Sequence, residues 1–236
     1  MIELSPRLAV ISKHITRHQT MADIGCDHGL LSVYMILKGL VPKAIAMDLR
    51  PAPLEKARAC IKKYQLEGQI DIRLSDGLKS LKPSEAETAV IAGMGGILIK
   101  DILDREENVF LKTKKLILQP MNNGHILRHF LIHHGYQIEC ELLAKEDRRF
   151  YEIMVVTQGK TNLSLPIEYE IGLIHKTKDK DLLLQKIKAL ICSDKILLER
   201  LERHNSAIAK QRKSEISKHI QNLLKAREVI ENSRNI

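Results

Sequence analysis

Hydrophobic and polar positions along the first 160 residues change period again and again. Leu4, Leu8, Ile11 and Ile15 recur at helical spacing and open the chain with a short amphipathic segment. Beyond it, short apolar runs alternate with stretches of helical period. The pattern predicts strands over 20–25, 43–48, 70–75, 88–94 and 114–120. Helices are predicted over 29–39, 52–66, from about 96, and over 123–134. Two consecutive strands, 136–147 and 150–158, then flank Glu146-Asp147-Arg148-Arg149. Continuous apolar runs suit strands buried on both faces, and the intervening helices supply the crossovers of a parallel sheet. Two successive strands imply an antiparallel hairpin at one edge. The expected class is therefore α/β, a mostly parallel sheet with an antiparallel edge.

The pattern changes near Gly159-Lys160-Thr161-Asn162. From about 180 onward Gly and Pro almost vanish, and Leu183, Ile187, Leu190, Leu197, Leu201 and Ile208 follow a 4-3 spacing. Asp194 and His204 fill the two gaps in that stripe, and Ile216, Ile220, Leu223 and Ile230 form a second one. Heptads with charged flanks predict coiled-coil helices. His204-Asn205-Ser206 marks a break, since Asn and Ser suit helix ends. A helical hairpin is expected, with one continuous helix as the alternative. The domains are thus 1–160, the sheet, and 161–236, the helices.

Composition narrows the partners. The chain has 236 residues, 44% of them apolar, which suffices for one α/β domain with an appendage and excludes disorder. Its net charge is +9, of which +6 falls in residues 160–236. A basic excess of that kind suits a polyanion, although solubility alone accounts for it equally well. No run approaches 18 apolar residues and the N-terminus lacks a signal core, so a cytoplasmic protein without membrane contact is expected. Cys26, Cys60, Cys140 and Cys192 are scattered and read as buried reduced thiols. His129 and His133 stand four apart on a helix without a third ligand, so no metal is expected. Nothing fixes the oligomeric state; a monomer is favoured.

The chemistry concentrates at strand ends. Met21 to Leu31, MADIGCDHGLL, reads as strand, glycine turn and helix start. A P-loop string is absent, and a dinucleotide loop counted from Gly25 would need glycine where Asp27 and Leu30 stand. A carboxylate at 27 would also face a pyrophosphate, like charge against like. S-adenosylmethionine carries no phosphate, and its sulfonium and ammonium are both positive. Asp23 and Asp27 suit it, and Gly25 and Gly29 let the backbone approach. Asp27 as a simple helix N-cap is the other reading. Asp48 ends the second strand where ribose hydroxyls are commonly bound. Asp76 ends the third, placed to accept from an adenine amino group, with Leu78 to pack on the ring.

In order, DIGCDHG, MDLR, SDGL and AGMGG resemble class I methyltransferases, and more narrowly the TrmK family of bacterial tRNA adenine-N1-methyltransferases, which modify nucleotide 22. Leu4-Ser5-Pro6-Arg7-Leu8, Leu118-Gln119-Pro120, Tyr151-Glu152-Ile153 and the helical hairpin add to the resemblance. It implies a seven-stranded Rossmann-like domain, a C-terminal coiled coil, S-adenosyl-L-methionine as methyl donor and tRNA as substrate. It implies a donor site of Asp23, Gly25, Asp27, His28, Gly29, Asp48, Leu49, Asp76, Gly77 and Gly93. The common class I motif has a third glycine where Asp27 stands; the departure agrees with the narrower family.

Adenine N1 carries an in-plane lone pair and needs no prior deprotonation, so positioning and desolvation dominate such a transfer. Gly93, Met94, Gly95 and Gly96 occupy the place of the side-chain acceptors of amino-methylating enzymes and leave room for a base. A tight helix start needing glycine explains the same residues. A stacking plate must come from three Phe and five Tyr, and Phe150 and Tyr151 are the candidates. Arg7 suits the donor's carboxylate, a tRNA phosphate or plain solvent. Lys176, Lys178, Lys180, Lys210, Arg212, Lys213, Lys218, Lys225 and Arg227 form a candidate tRNA surface. Two rivals stay open: methylation of another RNA, and a non-catalytic RNA- or partner-binding protein.

Overall fold

The computed structural model describes residues 2–106, 108–202, 204 and 206–233. The chain divides into two compact units, Met1–Asn162 and Leu163–Ile236. The first runs α1 (Pro6–Ser12), β1 (Met21–Ile24), α2 (Leu30–Leu37), β2 (Ala44–Asp48), α3 (Pro51–Lys63), β3 (Ile70–Leu74) and β4 (Thr88–Met94). It continues α4 (Gly96–Asp104), α5 (Val109–Lys112), β5 (Lys115–Pro120), α6 (Gly124–His133), β6 (Tyr136–Glu146) and β7 (Arg149–Gln158). Among the described residues the strands form one seven-stranded sheet in the order β3-β2-β1-β4-β5-β7-β6. β1 to β5 pair in parallel, and β7 inserts antiparallel between β5 and β6. Every residue of β1 and β2 is buried, as strands covered on both faces require.

Local chemistry sets the helix ends. Pro6 and Pro51 start α1 and α3 at positions whose amides need no partner. Gly39 (φ 62°) stops α2, donating to the Ile36 carbonyl while Leu40 donates to that of Met35. Near the sheet edge a charge is fully enclosed. Arg128 of α6 forks onto Glu141 of β6 at 2.9 and 2.8 Å and reaches Glu152 of β7 at 2.5 Å. Burial opposes its charge, but the two glutamates outweigh that and hold the guanidinium protonated.

The second unit contains α7 (Glu168–Ile171), α8 (Lys180–Glu202) and α9 (Ala207–Asn232). The buried Glu168 carboxylate accepts the backbone amides of Ser164, Leu165 and Ile174 at 2.5–2.8 Å and so folds the segment before α8. α8 and α9 pair as a hairpin, and α9 is capped by Ser206, whose hydroxyl accepts from the Ala209 amide at 3.1 Å. Asn205, the middle of the expected break, lies outside the described residues.

The stripes hold in part. Leu183, Ile187, Ile216, Leu223 and Ile230 are buried, but Leu197 is exposed and Ile208 is 81% exposed, with Ala209 taking the inward place. Asp194, one of the gaps in the stripe, meets His219 of α9 at 2.6 Å, and the other ring nitrogen of His219 meets Glu170 at 3.0 Å. A polar group at a seam position fixes which residues pair, at a cost in stability. No described helix is long and apolar enough to cross a membrane. Among the described residues no cluster of three or more His, Cys, Asp or Glu is placed to hold a metal. All four cysteines are free thiols; Cys26 and Cys140 are buried as expected, whereas Cys192 is exposed and Cys60 partly so.

Candidate active site

The strand order reverses between β1 and β4, and in open α/β sheets such a point leaves a crevice beyond the carboxyl ends of the strands. A cavity of about 660 Å³ lies there. The ends of β1 to β4 supply Asp23 to His28, Asp48 to Arg50, Ser75 to Gly77 and Ala92 to Met94, while Arg7 and its neighbours close one side. Of the residues expected at the site, Asp23, Gly25, Asp27, His28, Asp48, Leu49, Asp76, Gly77, Gly93 and Met94 line this one cavity. Gly29, Gly95, Gly96 and Tyr151 stand outside its wall.

The three strand-end acids have different surroundings. Asp23 is buried, with one oxygen accepting the Ser32 hydroxyl at 3.1 Å. Burial raises its pKa to about 6, and Asp48 nearby adds to the rise. Asp48 is also buried and accepts the Arg50 amide at 3.0 Å. Asp76 is partly open, and Lys79 at 2.7 Å and Arg105 at 3.1 Å hold its carboxyl below the ordinary range. Cys26, between the acids, has its thiol pushed up by burial and by Asp23 and Asp48, so it stays protonated.

The turn after β1 corrects the sequence reading twice. Gly29, not Asp27, is the N-cap of α2, and no side chain caps that helix. Asp27 instead adopts a left-handed backbone (φ 48°), and its exposed carboxylate sits 3.6 Å from the His28 ring. A class I glycine at this position would answer a conformational need, and Asp is among the few residues that meet it. Gly29 serves packing: a side chain there would press on Ala57 of α3 at 3.2 Å. A third correction concerns Leu78, which is fully buried and does not line the cavity; Leu49, 62% exposed beside Asp48, is among the apolar residues that do.

Contacts distant in sequence shape the opposite wall. The register shifts between Ala92 and Met94, and the freed Gly93 amide donates to the buried Gln119 side chain at 3.1 Å. The same oxygen accepts from the Arg7 guanidinium at 2.8 Å, so Gln119 ties α1 to the end of β4. The Met94 thioether lies against Gly25 in the space any side chain there would need. Gly96 is forced by packing, since a Cβ would lie 2.5 Å from the Asn123 carbonyl. Tyr151 is half-buried beneath Arg7, ring centroid to guanidinium 5.9 Å, and Phe150 lies under Lys145 at 5.3 Å. Neither ring stands free in the cavity.

Sequence reasoning missed Gln119, Ser32 and Ser5. The buried Ser5 hydroxyl lines the cavity and has no hydrogen-bond partner among the described residues. Within the Leu-Ser-Pro-Arg-Leu string, Ser5 and Arg7 were the available signal.

A family described as "Methyltransferase domain" matches residues 4–154. The tRNA (adenine(22)-N(1))-methyltransferase of Bacillus subtilis is 35% identical over 158 residues, covering 67% of this chain and 66% of that enzyme, just under two thirds of its length. Streptococcus pneumoniae Sp1610, solved in complex with S-adenosyl-L-methionine, superposes with a TM-score of 0.80 at 28% identity, covering 95% of this chain and all of that one. M. capricolum TrmK in complex with its cofactor product S-adenosyl-homocysteine superposes with a TM-score of 0.81 at 28% identity, covering 96% and 99%.

Proposed function

The chain belongs to the methyltransferase-domain family, and from that premise we propose that it transfers the methyl group of S-adenosyl-L-methionine to N1 of adenine 22 in tRNA. The observation that carries the reading is one cavity holding a buried acid at the end of β1 and another at the end of β2, facing a wall of bare backbone at Gly93. The Bacillus relative, named for that reaction, supports the choice of substrate.

The residues present fit such a donor. Asp23 and Asp27 supply negative charge for its cationic groups, and Asp48 supplies acceptors for ribose hydroxyls. Leu49 offers an apolar face to adenine, while Asp76 and Gly77 meet its edge. The unpartnered Ser5 hydroxyl and the Arg7 guanidinium suit the carboxylate. The Arg7 guanidinium donates to the neutral Gln119 side chain at 2.8 Å, and the Glu146 carboxylate is held on its backbone amide at 3.3 Å rather than on its charge. His28 lines the same cavity.

When bound, the donor supplies a sulfonium methyl that the N1 lone pair displaces in line: the N1–C bond forms, the C–S pair returns to sulfur, and the positive charge passes to the adenine ring. The chain needs no base before that attack. Its work is to orient and to exclude water, and Gly93 and Met94 form the wall against which the target base is placed, with Gly95 just behind it. Gly95 contributes through the loop, for a side chain there would meet Asn122 at 3.1 Å. Tyr151 acts from below by seating Arg7.

The helical unit supplies affinity for tRNA in this reading. Lys178, Lys210, Lys218 and Lys225 are exposed, whereas Arg212 pairs with Glu215 at 2.9 Å, Lys213 donates to the His204 carbonyl at 3.1 Å and Lys180 donates to the Ile174 carbonyl. Removing residues 163–236 is expected to abolish tRNA binding and spare donor binding; retained tRNA affinity would overturn that role. The decisive experiment is methyl transfer to unmodified bacterial tRNA with mapping of the product. Label at N1 of adenine 22 supports the proposal, and label elsewhere or none sinks it.

A further inference from the structure

We propose that the tip of the β6–β7 hairpin grips the RNA backbone beside the target adenosine, with Arg148 and Arg149 binding its phosphates. The inference rests on the tRNA reading above and adds a second contact surface, carried by the catalytic unit itself.

Position comes first. The two strands are joined by Asp147 and Arg148, with Glu146 paired opposite Arg149. Asp147 takes the left-handed conformation (φ 53°) of a tight hairpin turn, so the two arginines are presented on a short, defined loop. Residues on both sides of the tip touch the same piece of the cavity wall. Glu146 accepts the Arg7 backbone amide at 3.3 Å, and the Tyr151 ring lies beneath the Arg7 guanidinium. Arg7 in turn borders Gly93, where a base would enter. The tip therefore stands at the mouth of the site.

Charge comes second. Arg148 and Arg149 are exposed, and neither has a carboxylate within 4 Å among the described residues. Arg58, Arg73 and Arg105 of this unit are engaged with Glu55, Glu85 and Asp76. Arg17 and Arg50 are exposed without an ion pair among the described residues but stand singly in the chain, so what sets Arg148 and Arg149 apart is that they are adjacent on one hairpin. Two neighbouring guanidiniums without acidic partners suit phosphate oxygens, which guanidinium binds with two donors at once.

The reaction supplies the reason for such a contact. N1 lies on the pairing edge of adenine, so the base must leave its stack to react. Affinity from the helical unit alone does not choose which nucleotide enters. Phosphate contacts beside the mouth fix register on the strand without reading sequence.

The test is the full-length double variant Arg148→Gln/Arg149→Gln beside the wild type. Donor affinity, measured by titration calorimetry with S-adenosyl-homocysteine, should be unchanged, as should the melting temperature. kcat/KM for tRNA should fall about tenfold or more at low salt. The slope of log affinity for tRNA against log salt should become shallower by about 1.4, as loss of two phosphate contacts requires. Arg148→Lys/Arg149→Lys should restore most of the slope, because point cations also release counterions. If the wild type methylates adenine 22 and the glutamine variant keeps both its salt slope and its kcat/KM, the clamp is wrong and the tRNA reading stands. If the wild type does not methylate tRNA, both fall.

Discussion

The two sides of the cavity are built from different materials. The side assigned to the donor is made of side chains, one acid at the end of each of three successive strands, placed by a few residues of local sequence. The side assigned to the base is made of backbone. Its shape comes from Gln119, Asn122, Asn123 and Arg7, all remote from the Gly93–Gly96 stretch they hold. Charge is local and shape is assembled, so damage to the first should appear in donor binding and damage to the second in turnover.

Gln119 is where the two sides meet, and its loss should have the largest effect. It is fully buried, and its oxygen receives both the Gly93 amide and the Arg7 guanidinium. Gln119→Leu keeps the volume but removes the acceptor shared by the Gly93 amide and the Arg7 guanidinium, both partly open to solvent, at about 1 kcal/mol for each lost bond. Thermal denaturation should show a clear loss of stability, and kcat should drop with it. A stable Gln119→Leu enzyme with normal kcat would mean that the wall holds without this bond.

Asp48→Ala comes next and should separate the sides cleanly. Hydrogen bonds to a charged acceptor contribute about 1.5–3 kcal/mol, so donor affinity should fall by roughly 10- to 100-fold. Affinity for tRNA should not change. Calorimetry with S-adenosyl-homocysteine and filter binding with tRNA read the two independently, and parallel losses in both would erase the distinction.

The same contrast governs what the sequence made legible. Strands over 88–94 and 114–120 were readable within a residue because buried parallel strands are unbroken apolar runs. α5 and α7, four residues each, are too short to show a period. Asp23, Asp48 and Asp76 were readable because a strand end followed by a turn places its own side chain at the crevice. Leu78 and Leu49 were not separable that way: both follow strand-end acids, and only packing buries one and exposes the other. The buried place of Arg128 was not legible, because its partners Glu141 and Glu152 arrive from the edge strands. Ile208 satisfied the heptad arithmetic, but α9 begins at Ala207 and turns Ala209 inward instead.

Acid should weaken the donor side alone. The Asp23 pKa is raised by burial from 3.8 to about 6, so the folded protein holds this proton to higher pH than the unfolded chain. Its buried charge therefore lowers stability above pH 6, and that cost fades as pH falls towards 4. Donor binding runs the opposite way, since a cation pairs with the ionised form. Below about pH 6 donor affinity should drop by up to tenfold per pH unit, while the ligand-free protein gains stability from this group. Asp23→Asn should flatten both trends. A donor affinity that stays level from pH 7 to 5 would remove Asp23 from the binding site.

The smallest effect belongs to Asp27, and it asks whether charge or backbone conformation matters in the β1–α2 turn. Because Asp27 caps nothing and holds φ 48°, Asn is the conservative replacement: it tolerates the left-handed region as Asp does. Asp27→Asn removes only the charge, and an exposed charge exerts a weak, screened attraction, so donor affinity should fall a few-fold, more at low salt. Asp27→Ala adds the strain of a left-handed residue without a polar side chain to offset it. If the carboxylate faces the donor, Asn accounts for most of the loss seen in Ala. If Asn binds the donor as the wild type does and only Ala is impaired, Asp27 serves the turn by its backbone, as glycine would, and the donor side is an affair of the two buried acids.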